Sequence, residues 1–88
     1  MNEEQELKLI TQTTITMEEM GELIQALGKY VRYLVGDKTL RKDIIDIYDM
    51  IIEELSDVEL CLEKFKDLNY IDQHEIDKIK DYKENRLK

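Results

Sequence analysis

Six carboxylates in two short runs are the side chains in this sequence best placed to do chemistry. The first run is Glu18-Glu19-Met20-Gly21-Glu22 and the second is Glu53-Glu54-Leu55-Ser56-Asp57. On a helix, at about 100° per residue, Glu18 and Glu19 both lie one turn before Glu22, roughly 40° and 60° to either side of it. Glu54 and Asp57 are neighbours in the same way. Ile15, Ala26 and Tyr33 share the sector around Glu22, while Met50, Val58 and Cys61 surround the second pair, so both acidic groups sit on the shoulder of an apolar stripe. Like charges at this spacing repel even on an exposed helix. In a partly buried cleft, either protons or a cation must relieve them. Four or five hard oxygen donors suit Mg²⁺ or Mn²⁺, and carboxylate-bound Mg²⁺ keeps waters and takes up substrate phosphates. The plainer reading stays open at this point, because ExxE and ExxD pairs on acidic helical proteins are mostly solvated charge.

Two packed helices are needed to bring these runs together, and the apolar pattern supplies them. Leu7, Ile10, Met17, Met20, Leu23, Ile24, Leu27, Val31 and Leu34 recur at helical spacing and predict a helix over 3–34. Within it, Thr11-Gln12-Thr13-Thr14-Ile15-Thr16 is a poor helix former and marks where a bend could fall. Val35-Gly36-Asp37-Lys38 predicts the first break, with Asp37 or Thr39 as the cap of a second helix over 39–66. After a break at Asp67–Ile71, Asp72-Gln73-His74-Glu75 has the form of a capping box, with Glu75 placed to reach back to the Asp72 amide. It opens a thin third helix over 73–86, where Ile76, Ile79, Tyr82 or Lys83, and Arg86 share a side.

Proline is absent and glycine occurs only at 21, 28 and 36, which favours long helices over a sheet. The expected fold is all-α: one domain over 1–88, a three-helix protomer with two long antiparallel helices, completed into a helical bundle by oligomerisation. A chain of 88 residues buries only about 60% of its unfolded surface, and its single cysteine, Cys61, offers no disulfide framework. Gly21 and Gly28 lie one heptad apart beside Met17, Ile24 and Val31. They suit a close helix–helix contact with a partner chain, with a kink as the alternative.

The formal net charge of −8 disfavours non-specific binding to nucleic acid or to an anionic membrane. An anionic substrate would therefore need a cation to invert the field locally. The lone cysteine, the absence of a signal-like start at Met1 and the lack of any long apolar run point to a soluble, cytoplasmic protein.

EExxE followed some thirty residues on by ExxD resembles the signature of the MazG-like all-α nucleoside triphosphate pyrophosphohydrolases. Residues Glu18 to Leu27 are similar to that family's first motif helix, Glu53 to Val58 to its second, and Lys83-Glu84-Asn85-Arg86 to its basic tail; the likeness runs from about residue 8 to 87. It implies a homodimer or homotetramer in which Glu19, Glu22, Glu54 and Asp57 hold Mg²⁺, with Mn²⁺ as a substitute. Glu18 would be an outer partner of those ligands, a further ligand, or the base that orients water, so that Glu18, Glu19 and Glu22 form the catalytic group. One to three ions would bridge the phosphates, and cleavage would release a nucleoside monophosphate and pyrophosphate. Lys83, Asn85 and Arg86 would bind substrate, although favourable charge at a helix C-terminus explains the two cations equally well. The sequence departs from the pattern one turn after Asp57, where relatives that discriminate bases often carry an aromatic and this chain has Cys61. Stacking would then fall to Tyr30, Tyr33, Tyr48 or Tyr82, which also fit ordinary core or boundary positions. His74 is expected to be exposed, and Cys61 to be a small apolar filler. The competing expectation is a non-catalytic helical oligomerisation or adaptor module built on the same fold.

Overall fold

The computed structural model describes residues 1–87, and these form three helices: α1 Glu3–Leu34, α2 Ile44–Leu68 and α3 Gln73–Leu87. No strand occurs among the described residues. None of the helices is long and apolar enough to cross a membrane.

Asn2 and Gln5 start α1 with a reciprocal cap. The Gln5 amide donates to Asn2 Oδ1 at 2.8 Å, and the Asn2 amide to Gln5 Oε1 at 3.0 Å. Glu3, Glu4 and Glu6 then place negative charge against the positive end of the helix dipole. The threonine-rich stretch does not interrupt α1. Thr14 Oγ1 donates to the Ile10 carbonyl at 2.8 Å and Thr16 Oγ1 to the Gln12 carbonyl at 2.7 Å, so these hydroxyls are satisfied inside the helix. Gly36, at φ +74°, ends it. The Gly36 amide reaches Tyr33 O at 3.1 Å and the Asp37 amide reaches Arg32 O at 2.9 Å, the paired bonds of a Schellman turn.

α2 starts five residues later than the sequence pattern predicts, and neither Asp37 nor Thr39 caps it. The Asp37 carboxylate is already engaged by the Thr39 hydroxyl at 2.6 Å, the Thr39 amide at 2.8 Å and Arg32 Nε at 2.8 Å. These bonds, led by the Thr39 hydroxyl, hold its pKa down at about 2. They close a turn that cannot also receive a helix. Asp43 takes the capping role instead, accepting from the Asp46 amide at 2.9 Å.

The end of α2 repeats the Schellman geometry with the wrong residue for it. Tyr70 sits at φ +53°, its amide 3.3 Å from Asp67 O, while the Ile71 amide lies 2.9 Å from Lys66 O. A side chain in the left-handed region costs about 1–2 kcal/mol, which glycine avoids. Tyr70 is 94% exposed and offers little in return within the protomer. Tyr70→Gly is therefore expected to raise unfolding stability by about 1 kcal/mol, after glycine's greater unfolded-state entropy is discounted. Urea denaturation of the two proteins checks this, and a loss of stability would mean that the ring makes a contact the single chain does not contain.

Asp72 opens α3, accepting from the His74 amide at 2.9 Å. The reciprocal half of the expected capping box is not formed, because Glu75 leans forward to within 3.9 Å of Lys78 Nζ. Lys66 Nζ donates to Gln73 Oε1 at 2.7 Å and pins the root of α3 to α2. Beyond that root, α3 packs against neither α1 nor α2 among the described residues.

Packing is therefore confined to α1 against α2, and the core is thin. Its buried members are Ala26, Ile47 and Val58, with Thr16 as the buried polar residue. Apolar side chains that match the predicted stripe stand bare: Met17 is 67% exposed, Ile24 68%, Val31 55% and Ile52 62%. The chain exposes 7381 Å², against about 5,500 Å² for a folded monomer of 10.6 kDa, an excess of about 1,900 Å². The radius of gyration of 17.1 Å likewise exceeds the roughly 12 Å of a compact domain of this length. Gly21 and Gly28 lie on this open side, with nothing within 4 Å of where a Cβ would stand, so no helix of the same chain uses the close approach they permit.

Candidate metal centre

The buried contact line of α1 runs through Thr16, Glu19, Leu23, Ala26 and Tyr30, and that of α2 through Ile47, Glu54, Val58 and Cys61. Glu19 and Glu54 thus occupy positions that the amphipathic pattern would give to apolar residues. Each is half-buried, and Glu22 stands exposed beside them. One carboxylate oxygen from each of these three residues falls in a group whose members all lie within 4.8 Å of one another. Glu19 Oε2 and Glu54 Oε2 are shielded from solvent and have no hydrogen-bond partner.

Three negative groups at that separation, two of them partly withdrawn from water, disfavour full ionisation. Burial pushes the Glu19 carboxyl above the usual glutamate range, and the charges of Glu22, Asp57 and Glu54 push it further. Glu54 is raised the same way, by burial first and then by Glu22, Asp57 and Glu53. Hard oxygen donors converging from two helices, with shielded oxygens that nothing satisfies, have the chemistry that Mg²⁺ or Mn²⁺ fits.

The raised pKa values carry a prediction for the metal-free protein. Where a carboxyl binds its proton more tightly folded than unfolded, unfolding free energy falls as pH rises through the folded pKa. The Glu19 and Glu54 contribution is fully present below the ordinary glutamate value and is lost above the raised one. Asp37 acts in the opposite sense, its contribution disappearing as pH falls from its ordinary 3.8 toward about 2. In chelator-treated buffer, the melting temperature is expected to climb on acidification from neutral pH toward the ordinary glutamate value of 4.5 and to drop below 3.8, as Asp37 takes up its proton. A flat profile from neutral pH to 4.5 would mean that neither burial nor the neighbouring charges act on the two glutamates.

The structure does not bring together every residue that the sequence nominates. Glu19, Glu22 and Glu54 converge. Asp57 is half-buried and close enough for its charge to act on both Glu19 and Glu54, but it lies outside the tight group. Glu18 is exposed at the rim. Lys83, Asn85 and Arg86 are exposed on α3, away from the carboxylates, and the Arg86 guanidinium lies 5.9 Å from the centre of the Tyr82 ring. Tyr30 and Tyr48 pair with each other, hydroxyls 3.4 Å apart and ring centres 5.6 Å apart, while Tyr33 and Tyr82 are exposed. Cys61 is free and half-buried, and His74 is exposed in the first turn of α3. The Tyr30–Tyr48 pairing was not legible in the sequence, since helical periodicity fixes faces but not cross-helix register.

No family model matches the chain, and no curated protein or solved structure matches it either.

Proposed function

We propose that this chain is a Mg²⁺-dependent nucleotide pyrophosphohydrolase of the MazG-like kind, converting a nucleoside triphosphate or related nucleotide to the monophosphate and pyrophosphate. The observation that carries this reading is the convergence of Glu19, Glu22 and Glu54, with two shielded carboxylate oxygens left unsatisfied. Those three residues and Asp57 would hold the metal. Bound there, Mg²⁺ would neutralise the polyphosphate, lower the pKa of attacking water and stabilise charge on the leaving group. Glu18, exposed beside the cluster and outside the tight donor set, is free to orient that water or to take its proton. Lys83 and Arg86 supply cationic groups that the acidic helices lack.

In this reading α1 and α2 run antiparallel, as supported by the facing pairs Glu22 with Glu54 and Tyr30 with Tyr48. A second copy covers the open apolar side to complete a bundle, and the protein works as a homodimer or homotetramer. The excess of about 1,900 Å² supports this, being more than the roughly 800 Å² per partner of an ordinary stable interface. A non-catalytic oligomerisation module would use the same apolar side. It would have no need for glutamates at contact-line positions, where they oppose packing.

Pyrophosphate release from the common and modified nucleoside triphosphates, assayed with Mg²⁺, separates the two. The hydrolase reading expects metal-dependent release from at least one of them. A well-folded preparation inactive on all would favour the module instead.

A further inference from the structure

We propose that α3 is an arm exchanged between copies: it docks on the hairpin of a second chain and sets its basic end beside that chain's acidic cluster. The proposal names the partner of the site described above and rests on that cluster's place in the fold. It requires neither metal nor turnover.

Three observations lead to it. First, α3 is a 15-residue helix that, beyond its root, packs against neither α1 nor α2 among the described residues. An isolated helix of that length is marginal in water, and one with Ile79 56% and Tyr82 66% exposed lacks the burial that normally sustains it. Second, α3 does not swing freely from its root. The Schellman bonds of Tyr70 and Ile71, the Asp72 cap and the 2.7 Å bond from Lys66 to Gln73 fix the direction in which it leaves α2. The result is an extended molecule of 52 × 39 × 15 Å, whose smallest dimension is that of a single layer of helices. Third, charge is divided between the parts. Residues 1–72 carry 17 acidic and 8 basic side chains, whereas residues 73–88 carry 4 acidic and 5 basic, with Glu75 and Asp77 near the root and the cations beyond them. The basic end of α3 and the acidic hairpin complement each other, yet among the described residues the one ion pair of α3 is the local Lys78–Glu75 contact. A second copy of this chain offers what the arm lacks in its own: a bare apolar shoulder for Ile76, Ile79 and Tyr82, and a negative surface for Lys83 and Arg86. α3 spans about 22 Å, and Glu54 lies 14 residues, or about 21 Å, from the end of α2, so the arm is long enough to reach the cluster from that end of a hairpin.

Cross-linking tests the exchange. In a Cys61→Ala background, one chain carries Glu53→Cys, beside the acidic cluster, and a second, size-tagged chain carries Arg86→Cys; both positions are exposed. The two are co-expressed and treated with a short bis-maleimide. A third chain carries both cysteines. The exchanged arm predicts an abundant product joining tagged to untagged chain, which falls severalfold when high salt is present during cross-linking. If the two-cysteine chain gives only an internally bridged monomer, or if no chain-to-chain product forms, the exchange is wrong. Chain-to-chain product from these variants, with no pyrophosphate release by the wild-type protein, would leave the arm standing and remove the hydrolase reading. Turnover without that product would do the reverse.

Discussion

Glu54→Gln is expected to lower pyrophosphate release by about a thousandfold while leaving the helices intact. Glu54 is the donor that α2 contributes to the tight group, and without its charge only α1 would grip the ion from close range. Glutamine keeps the shape and one oxygen but removes the negative charge that a hard cation requires. The same change should stabilise the metal-free protein, because the repulsion Glu54 feels from Glu22 and Asp57 is lifted. Opposite signs on activity and stability are what distinguish a ligand from a structural residue. Circular dichroism, thermal melts in chelator and the pyrophosphate assay together read them. Activity within a few-fold of wild type would remove Glu54 from the site, and a lower melting point in chelator would make it a packing residue.

Ile24→Glu is expected to dissociate the proposed oligomer. Ile24 is 68% exposed in the single chain and lies on the bare stripe with Met17 and Val31, beside Gly21 and Gly28. Placing a charge at the centre of a buried interface costs about 2 kcal/mol or more at each symmetric position. Two copies would then weaken association by roughly a thousandfold. Since the buried apolar residues among those described amount to Ala26, Ile47 and Val58, loss of the proposed partner should also lower the melting temperature and make it depend on concentration. Sedimentation of wild type and variant across a concentration series measures both effects. A wild-type monomer, or a variant that sediments as wild type does, would show that this face is not the interface.

The all-helical fold was legible because apolar residues recur at helical spacing along both long helices and no proline interrupts them. Boundaries were legible where a backbone requirement coincides with a residue type, as at Gly36. They were misread where side chains chose among partners. Asp37 looks like a helix cap in sequence, but Arg32 and Thr39 claim it, and the role passes to Asp43. Tyr70 gave no sign of its left-handed conformation, which glycine or asparagine would have announced. In the candidate site, helical projection brought Glu19 close to Glu22 correctly. It could not rank Asp57 below Glu54 as a donor, because that depends on the rotation of α2 against α1. The position of Lys83, Asn85 and Arg86 was beyond reach, since no local pattern states whether a short third helix folds back on its own chain.

Titration of Mg²⁺ into the chelator-treated protein by calorimetry tests the central claim most directly. Wild type should take up the ion near neutral pH and bind it less tightly on acidification, because a proton competes for Glu19 and Glu54, whose pKa values burial and neighbouring charges raise. A Glu19→Gln/Glu54→Gln double variant should bind nothing. Absence of uptake by wild type, of Mg²⁺ and of Mn²⁺ alike, or equal uptake by the double variant, would contradict a metal centre at these carboxylates.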